Sequence, residues 1–211
     1  MNLPKLYPIT DARLTNLSHA EQVERLRDGG ARFIQLREKH LSPRDFYEAA
    51  EAALDVARER GVRLIVNDRA DIALAAGADG VHLTARSLDP LVVRNISPRG
   101  FLIGISTHSL EEARAASASD ADFAVFGPVF DTPSKEAYGA PLGLTALSEA
   151  THAVAPFPLL ALGGITRARI PQVVAAGARG IAAIRLFGDE SELDAVVKEL
   201  RESCGEQDEN D

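Results

Sequence analysis

Short apolar runs alternate along the chain with longer stretches of helical periodicity. The runs are Lys5 to Thr10, Arg32 to Arg37, Val62 to Val66, Gly80 to Leu83, Phe101 to Ile105, Phe123 to Phe126, Pro158 to Leu162 and Gly180 to Ile184. Their length, bounded by glycine, proline and polar residues, is that of buried strands. Between them the pattern predicts helices from Ser18 to Gly29-Gly30, from Ser42-Pro43 to Gly61, over Asp71 to Ala76, more weakly over 89–96, from Ser109 onward, over Leu142 to Val154, from Thr166 to near Gly177, and over Asp189 to Arg201. The clearest stripe is Phe46, Ala49, Ala50, Ala53, Leu54 and Ala57, spaced as one face of a helix. Ser18-His19-Ala20-Glu21 and Ser109-Leu110-Glu111-Glu112 read as capping boxes, and Ser42 precedes a proline at the first helical position.

Eight strands alternating with eight helices imply a parallel sheet, and eight such units imply a closed (β/α)8 TIM barrel in a single domain. An internal echo supports this. Gly30-Ala31-Arg32, Gly77-Ala78-Asp79 and Gly177-Ala178-Arg179, with Asp120-Ala121-Asp122 as a variant, precede strands two, eight, four and six between them. The glycine suits the left-handed residue that ends a helix, and the alanine permits close packing. The alternative, an open doubly wound sheet, requires a reversal of strand order. The barrel is expected to span 1–203. The tail 204–211, with four acids among its last six residues, is expected to be disordered.

Composition narrows the function. The 211 residues are 45% hydrophobic and 26% charged, ordinary for one globular domain. A net charge of −8 argues against nucleic-acid binding, which needs a basic footprint. No apolar run approaches a membrane span, and the N-terminus lacks a secretory core. The lone Cys204 excludes an internal disulfide framework and a cysteine zinc site. A reduced, cytoplasmic setting follows.

In such barrels chemistry sits at the C-terminal strand ends. The residues there are Asp11; Gln35, Arg37 and Lys39; Asn67 and Asp68; Thr84; Ser106 and His108; Thr132, Ser134 and Lys135; Gly163 and Gly164; and Arg185. Four cations over one mouth suit phosphate or pyrophosphate, which Arg grips bidentately and Lys as a point charge. Gly163-Gly164 before a helix offers bare amides to an anion. Asp68 beside Asn67 suits Mg²⁺, which takes one or two carboxylates plus substrate phosphates. Taken singly, each has a plainer reading. Arg37-Glu38-Lys39 fits a solvated surface run, Asn67-Asp68 a capping turn, His108 a residue packed under a loop, His82 a strand residue and Gly163-Gly164 a tight turn.

These residues fall in motifs that resemble the thiamine-phosphate synthase and TenI family. The motifs are QLREK (35–39), NDRADIALAAGADGVHL (67–83), STHSLEEA (106–113), FGPVFDTPSK (126–135), PLGL (141–144) and ALGGIT (161–166), in family order. The resemblance implies a (β/α)8 barrel, often a homodimer. It implies a transferase that joins hydroxymethylpyrimidine pyrophosphate to thiazole phosphate, giving thiamine phosphate and pyrophosphate, with pyrophosphate leaving first. By the same resemblance Arg37, Lys39, Asn67 and Lys135 would hold pyrophosphate and Asp68 would bind Mg²⁺. Gln35 and Ser106 would line the pyrimidine and its leaving group, and Thr132, Ser134 and Gly164 would hold the thiazole phosphate. Two positions depart from the synthase pattern. Ser87 stands where a second metal-binding Asp is usual, with Asp89 two residues late, and Arg185 stands near a usual Ser. The TenI branch, a thiazole tautomerase, also lacks that acid. There a His matching His108 is the proposed base, and a neutral imidazole suits such a proton shift. Intact QLREK, Asn67-Asp68 and Lys135 favour the synthase. A non-catalytic phosphate-ligand binder is the third reading.

Overall fold

The computed structural model describes residues 3–132, 140–187, 195, 196 and 199. Eight strands form: β1 (Leu6–Pro8), β2 (Phe33–Leu36), β3 (Arg63–Asn67), β4 (Gly80–Leu83), β5 (Leu102–Thr107), β6 (Phe123–Phe126), β7 (Leu159–Leu162) and β8 (Gly180–Ala183). All pair in parallel with their sequence neighbours, and β8 pairs with β1. The remaining seam, β1 to β2, is closed by one bridge between Ile9 and Gln35 and by the Thr10 N–H donating to the Gln35 carbonyl at 2.9 Å. The order runs around the ring without reversal, which excludes the open doubly wound sheet.

The helices are α1 (Ala12–Thr15), α2 (His19–Asp28), α3 (Pro43–Glu59), α4 (Ala70–Ala76), α5 (Pro90–Ile96), α6 (Leu110–Ser117), α7 (Gly143–Val154) and α8 (Ile170–Ala175). Their starts follow local chemistry. Ser18 and Glu21 complete the expected box, Ser42 caps α3 ahead of Pro43, and Asp89 caps α5. Gly30, Gly77 and Gly177 take positive φ in the repeated turn, and Ala31, Ala78 and Ala178 are buried behind them.

Three expectations differ. α1 is an additional short helix, set by Asp11 accepting the Leu14 N–H at 3.1 Å. At α6 only half the box forms: Ser109 caps Glu112, but the Glu112 carboxylate accepts the His108 N–H instead. Thr166 caps nothing with its side chain, because a 3-10 turn at Arg167–Arg169 precedes α8. The helix expected over 189–201 lies largely outside the described residues, as does the tail.

Two apolar layers form the core. The larger lies between the strands and the helices and includes the stripe Phe46, Ala50, Ala53, Leu54 and Ala57. The smaller fills the barrel lumen with Leu3, Tyr7, Ile9, Phe33, Ile65, Leu102, Phe123, Val125, Leu160 and Ala182. Tyr7 stacks on Phe33 at 4.6 Å between ring centroids, and Phe123 meets both rings edge-on at 5.5 Å. The aromatic plug fits because β5 supplies no side chain at Gly104. A Cβ there would lie 2.4 Å from the Phe123 ring and 2.7 Å from His82. Gly104→Ala is expected to lose about 1–3 kcal/mol of unfolding free energy, measured by denaturant titration, through overpacking. An unchanged midpoint would show that the plug can shift freely.

Candidate active site

Side chains alternate along each strand, so the plug leaves polar residues one step nearer the C-terminal ends. Gln35, Asn67, His82 and Ser106 occupy that level. Gln35, Asn67 and His82 are almost fully buried. Gln35 Nε2 donates to the Tyr7 hydroxyl at 3.1 Å, which orients its amide. Burial pushes the Tyr7 hydroxyl above its ordinary pKa, so it stays neutral. His82 Nε2 lies 3.0 Å from Ser106 Oγ, and its Nδ1 has no hydrogen-bond partner among the described residues.

Burial drops the His82 pKa to about 3 and also lowers that of His19, where contacts to Glu38 and Asp11 act in the opposite sense. Both folded values lie below the ordinary 6.5, so the associated stability is complete above pH 6.5 and declines as pH falls. Between pH 7 and pH 5, His82 alone is expected to remove about 2 kcal/mol of unfolding free energy. Urea titrations at the two pH values check this, and equal stabilities would contradict it.

The loop after β2 carries Arg37, Glu38 and Lys39. The Arg37 guanidinium, about one quarter exposed, pairs with Asp11 at 3.3 Å. Together with Lys39 and α1 these residues border a cleft of 290 Å³. The Arg37 charge, then partial burial, then the Arg86 charge hold the Lys39 ammonium below its ordinary pKa, against Asp68 and Asp11. Three cations from two loops therefore gather with two carboxylates. Arg86 follows β4 by three residues, in a loop with no phosphate-binding signature to mark it. Glu38 is not part of a solvated run. Its carboxylate accepts the N–H groups of Lys39 and His40 at 2.6 and 2.7 Å and faces His19 at 3.4 Å.

Asp68 takes a positive φ of 65° directly after β3, a conformation that Asp tolerates better than most residues. Its Oδ1 accepts the Ser87 hydroxyl, with the Thr84 hydroxyl at 3.4 Å. Ser87 also accepts the Thr84 N–H at 2.7 Å. The position that departs from the synthase pattern is thus in contact with the expected metal ligand. One carboxylate and two hydroxyls form an oxygen set that fits Mg²⁺ when substrate phosphates complete it. No group of three or more His, Cys, Asp or Glu residues suited to a metal occurs among the described residues.

The loops after β6 and β7 lie against each other. The Val129 N–H donates to the Leu162 carbonyl at 2.8 Å and the Phe130 N–H to the Gly163 carbonyl at 3.1 Å. Gly163 and Gly164 both have positive φ, and a Cβ on Gly164 would lie 2.4 Å from the Asp131 carbonyl. The double glycine therefore serves loop contact as well as exposing backbone. Arg169 fastens the pair: its NH1 donates to the Gly164 carbonyl at 2.7 Å, and its guanidinium lies 4.4 Å from the Phe130 ring centre. Thr132 ends this described stretch half-buried, whereas Ser134 and Lys135 lie outside the described residues. Arg185 is exposed at the start of a 3-10 turn after β8. The His108 imidazole, just after β5, pairs with Glu112 in the first turn of α6 at 3.2 Å.

The chain as a whole is similar to known proteins. The family model described as thiamine monophosphate synthase, TMP-TENI, matches residues 6–187. A thiamine-phosphate synthase of Methanoculleus marisnigri is 43% identical over 198 residues, covering 93% of each chain. One from Chlorobium luteolum is 44% identical over 181 residues, covering 86% of this chain and 84% of that protein. Among solved structures, a thiamine phosphate pyrophosphorylase from Pyrococcus furiosus superposes with a TM-score of 0.84 at 33% identity, covering 94% of this chain and 96% of its own.

Proposed function

The chain belongs to the thiamine monophosphate synthase family, and from that premise we propose how its barrel mouth works as a thiamine-biosynthesis transferase. The reaction joins hydroxymethylpyrimidine pyrophosphate to thiazole phosphate. The bond from the pyrimidine methylene to the diphosphate oxygen breaks, and a bond from that carbon to the thiazole nitrogen forms. The observation that carries the reading is that Arg37, Arg86, Asp68 and Asp11 all lie within electrostatic reach of the Lys39 ammonium, with Arg37 paired to Asp11 beside it.

Departure of the diphosphate concentrates negative charge on its oxygens. Arg37 and Lys39 offset that charge, and by the family resemblance Asn67 and Lys135 join them in holding the diphosphate. Asp68, with Ser87 and Thr84, would hold Mg²⁺, which adds positive charge to the leaving group when bound. Gln35 and Ser106 line the pyrimidine. Their orientation by Tyr7 and His82 suits them to hold the ring while the bond to the leaving group lengthens. Thr132, Ser134, Gly163 and Gly164 take the thiazole phosphate, and Arg185 adds a cation on that side. Among the described residues no helix is long and apolar enough to cross a membrane. With Cys204 alone in the sequence, we place the reaction in the cytoplasm.

The test supplies both substrates with Mg²⁺ and follows thiamine phosphate, then repeats the assay in excess chelator. Product that depends on Mg²⁺ supports the proposal. The His108–Glu112 pair would suit a base for aromatising a thiazole tautomer, so that tautomer is supplied alone in a parallel arm. No thiamine phosphate together with rapid aromatisation would overturn the synthase reading. Ser87→Asp is expected to lower the half-saturating Mg²⁺ concentration on the order of tenfold, by adding a carboxylate beside Asp68. An unaltered Mg²⁺ titration would remove that loop from the metal site.

A further inference from the structure

The polar groups behind the Arg37–Lys39 loop form a circuit whose hydrogen-bond directions are fixed by chemistry. Glu38 is partly buried, which favours its neutral form, but bonds from the His40 and Lys39 amides and from His19 outweigh this and keep its pKa low. An ionised carboxylate only accepts. Its Oε2 faces His19 Nε2 at 3.4 Å, so that nitrogen carries the proton. The buried imidazole is neutral, which leaves Nδ1 to accept the Thr10 hydroxyl at 2.8 Å. Thr10 Oγ1, its own proton so committed, accepts the Arg37 backbone N–H at 3.2 Å. The circuit begins on the backbone of Arg37 and ends on the backbone of Lys39 and His40.

Its place in the barrel gives it work to do. It spans the β1–β2 seam, where the ladder is one bridge instead of a run of pairs. It also holds a loop whose two cations repel each other, as the lowered Lys39 pKa records. Thr10 is 1% exposed and the His19 side chain 3%, so water does not replace these bonds.

We propose that Thr10, His19 and Glu38 are positioning residues for diphosphate binding, holding the loop backbone so that Arg37 and Lys39 face the mouth, while none of the three touches substrate. The proposal rests on the reading that Arg37 and Lys39 grip the diphosphate. Misplacement of such groups by about an ångström costs up to roughly 10²-fold in rate.

The experiment uses Thr10→Val, which keeps the shape and removes the oxygen, with Thr10→Ser as the conservative rescue. Inorganic pyrophosphate binding with Mg²⁺ is measured by calorimetry, alongside KM for each substrate. Thr10→Val is expected to weaken pyrophosphate binding on the order of tenfold and to raise KM for the pyrimidine diphosphate similarly. KM for thiazole phosphate should stay within about twofold, and Thr10→Ser should restore the wild-type values. Should Thr10→Val not fold, His19→Gln carries the same expectation, because it can donate to Glu38 but gives Thr10 no ring nitrogen. Arg37→Ala serves as the control. If it weakens pyrophosphate binding while Thr10→Val does not, or if Thr10→Val weakens both substrates equally, the positioning role is overturned. If Arg37→Ala itself leaves pyrophosphate binding unchanged, the diphosphate reading fails first.

Discussion

Arg37→Ala is expected to lower kcat/KM for the pyrimidine diphosphate by about 10²- to 10³-fold, with much of the loss in kcat. The guanidinium is only partly exposed and is aimed by Asp11, so it meets an anion already oriented. Charge on the leaving oxygens grows as the bond breaks, so a fixed cation binds the transition state more tightly than the ground state. Arg37→Lys should recover only part of the loss, because an ammonium cannot make the paired planar contacts of a guanidinium. Steady-state kinetics at saturating Mg²⁺ check both variants. A raised KM with kcat intact would show that Arg37 holds the substrate without assisting departure.

Asp68→Asn is expected to lower turnover by about 10²-fold or more and to abolish ordinary Mg²⁺ saturation. The substitution is nearly isosteric, and Asn tolerates the positive φ at this site, so the backbone conformation is preserved. The amide oxygen can still accept the Ser87 hydroxyl, which keeps the β3 and β4 loops joined. What disappears is the negative charge. Calorimetric Mg²⁺ titration in the presence of pyrophosphate, together with turnover, separates this effect from unfolding. Wild-type Mg²⁺ affinity in the variant would remove Asp68 from metal binding.

Much of this molecule is legible from local sequence because its elements are short and strongly punctuated. β4 and β6 form over the residues their apolar runs predicted, and Ser18 and Ser42 cap where their side chains can reach the first amides. α1 was missed because Asp11 reads equally well as a strand-end residue. Of the residues proposed for the site, Arg37, Lys39, Asp68 and Ser106 were legible because they lie at or just past strand ends. Its supports were not. His82 sits in a four-residue strand buried on both faces, so no alternation marks its lumen side. His19 falls inside a capping box, which predicts helix and says nothing about a side chain reaching back to Thr10 and across to Glu38. Glu38 looks solvated beside two cations. Only the fold brings its carboxylate to His19, nineteen residues earlier in the chain.

Where pyrophosphate binds is the most direct test of the diphosphate reading. A crystal structure with pyrophosphate and Mg²⁺ should show phosphate oxygens about 3 Å from the Arg37 guanidinium and the Lys39 ammonium, with the ion on Asp68. Pyrophosphate bound away from this mouth, with Arg37 still held only by Asp11, would contradict it.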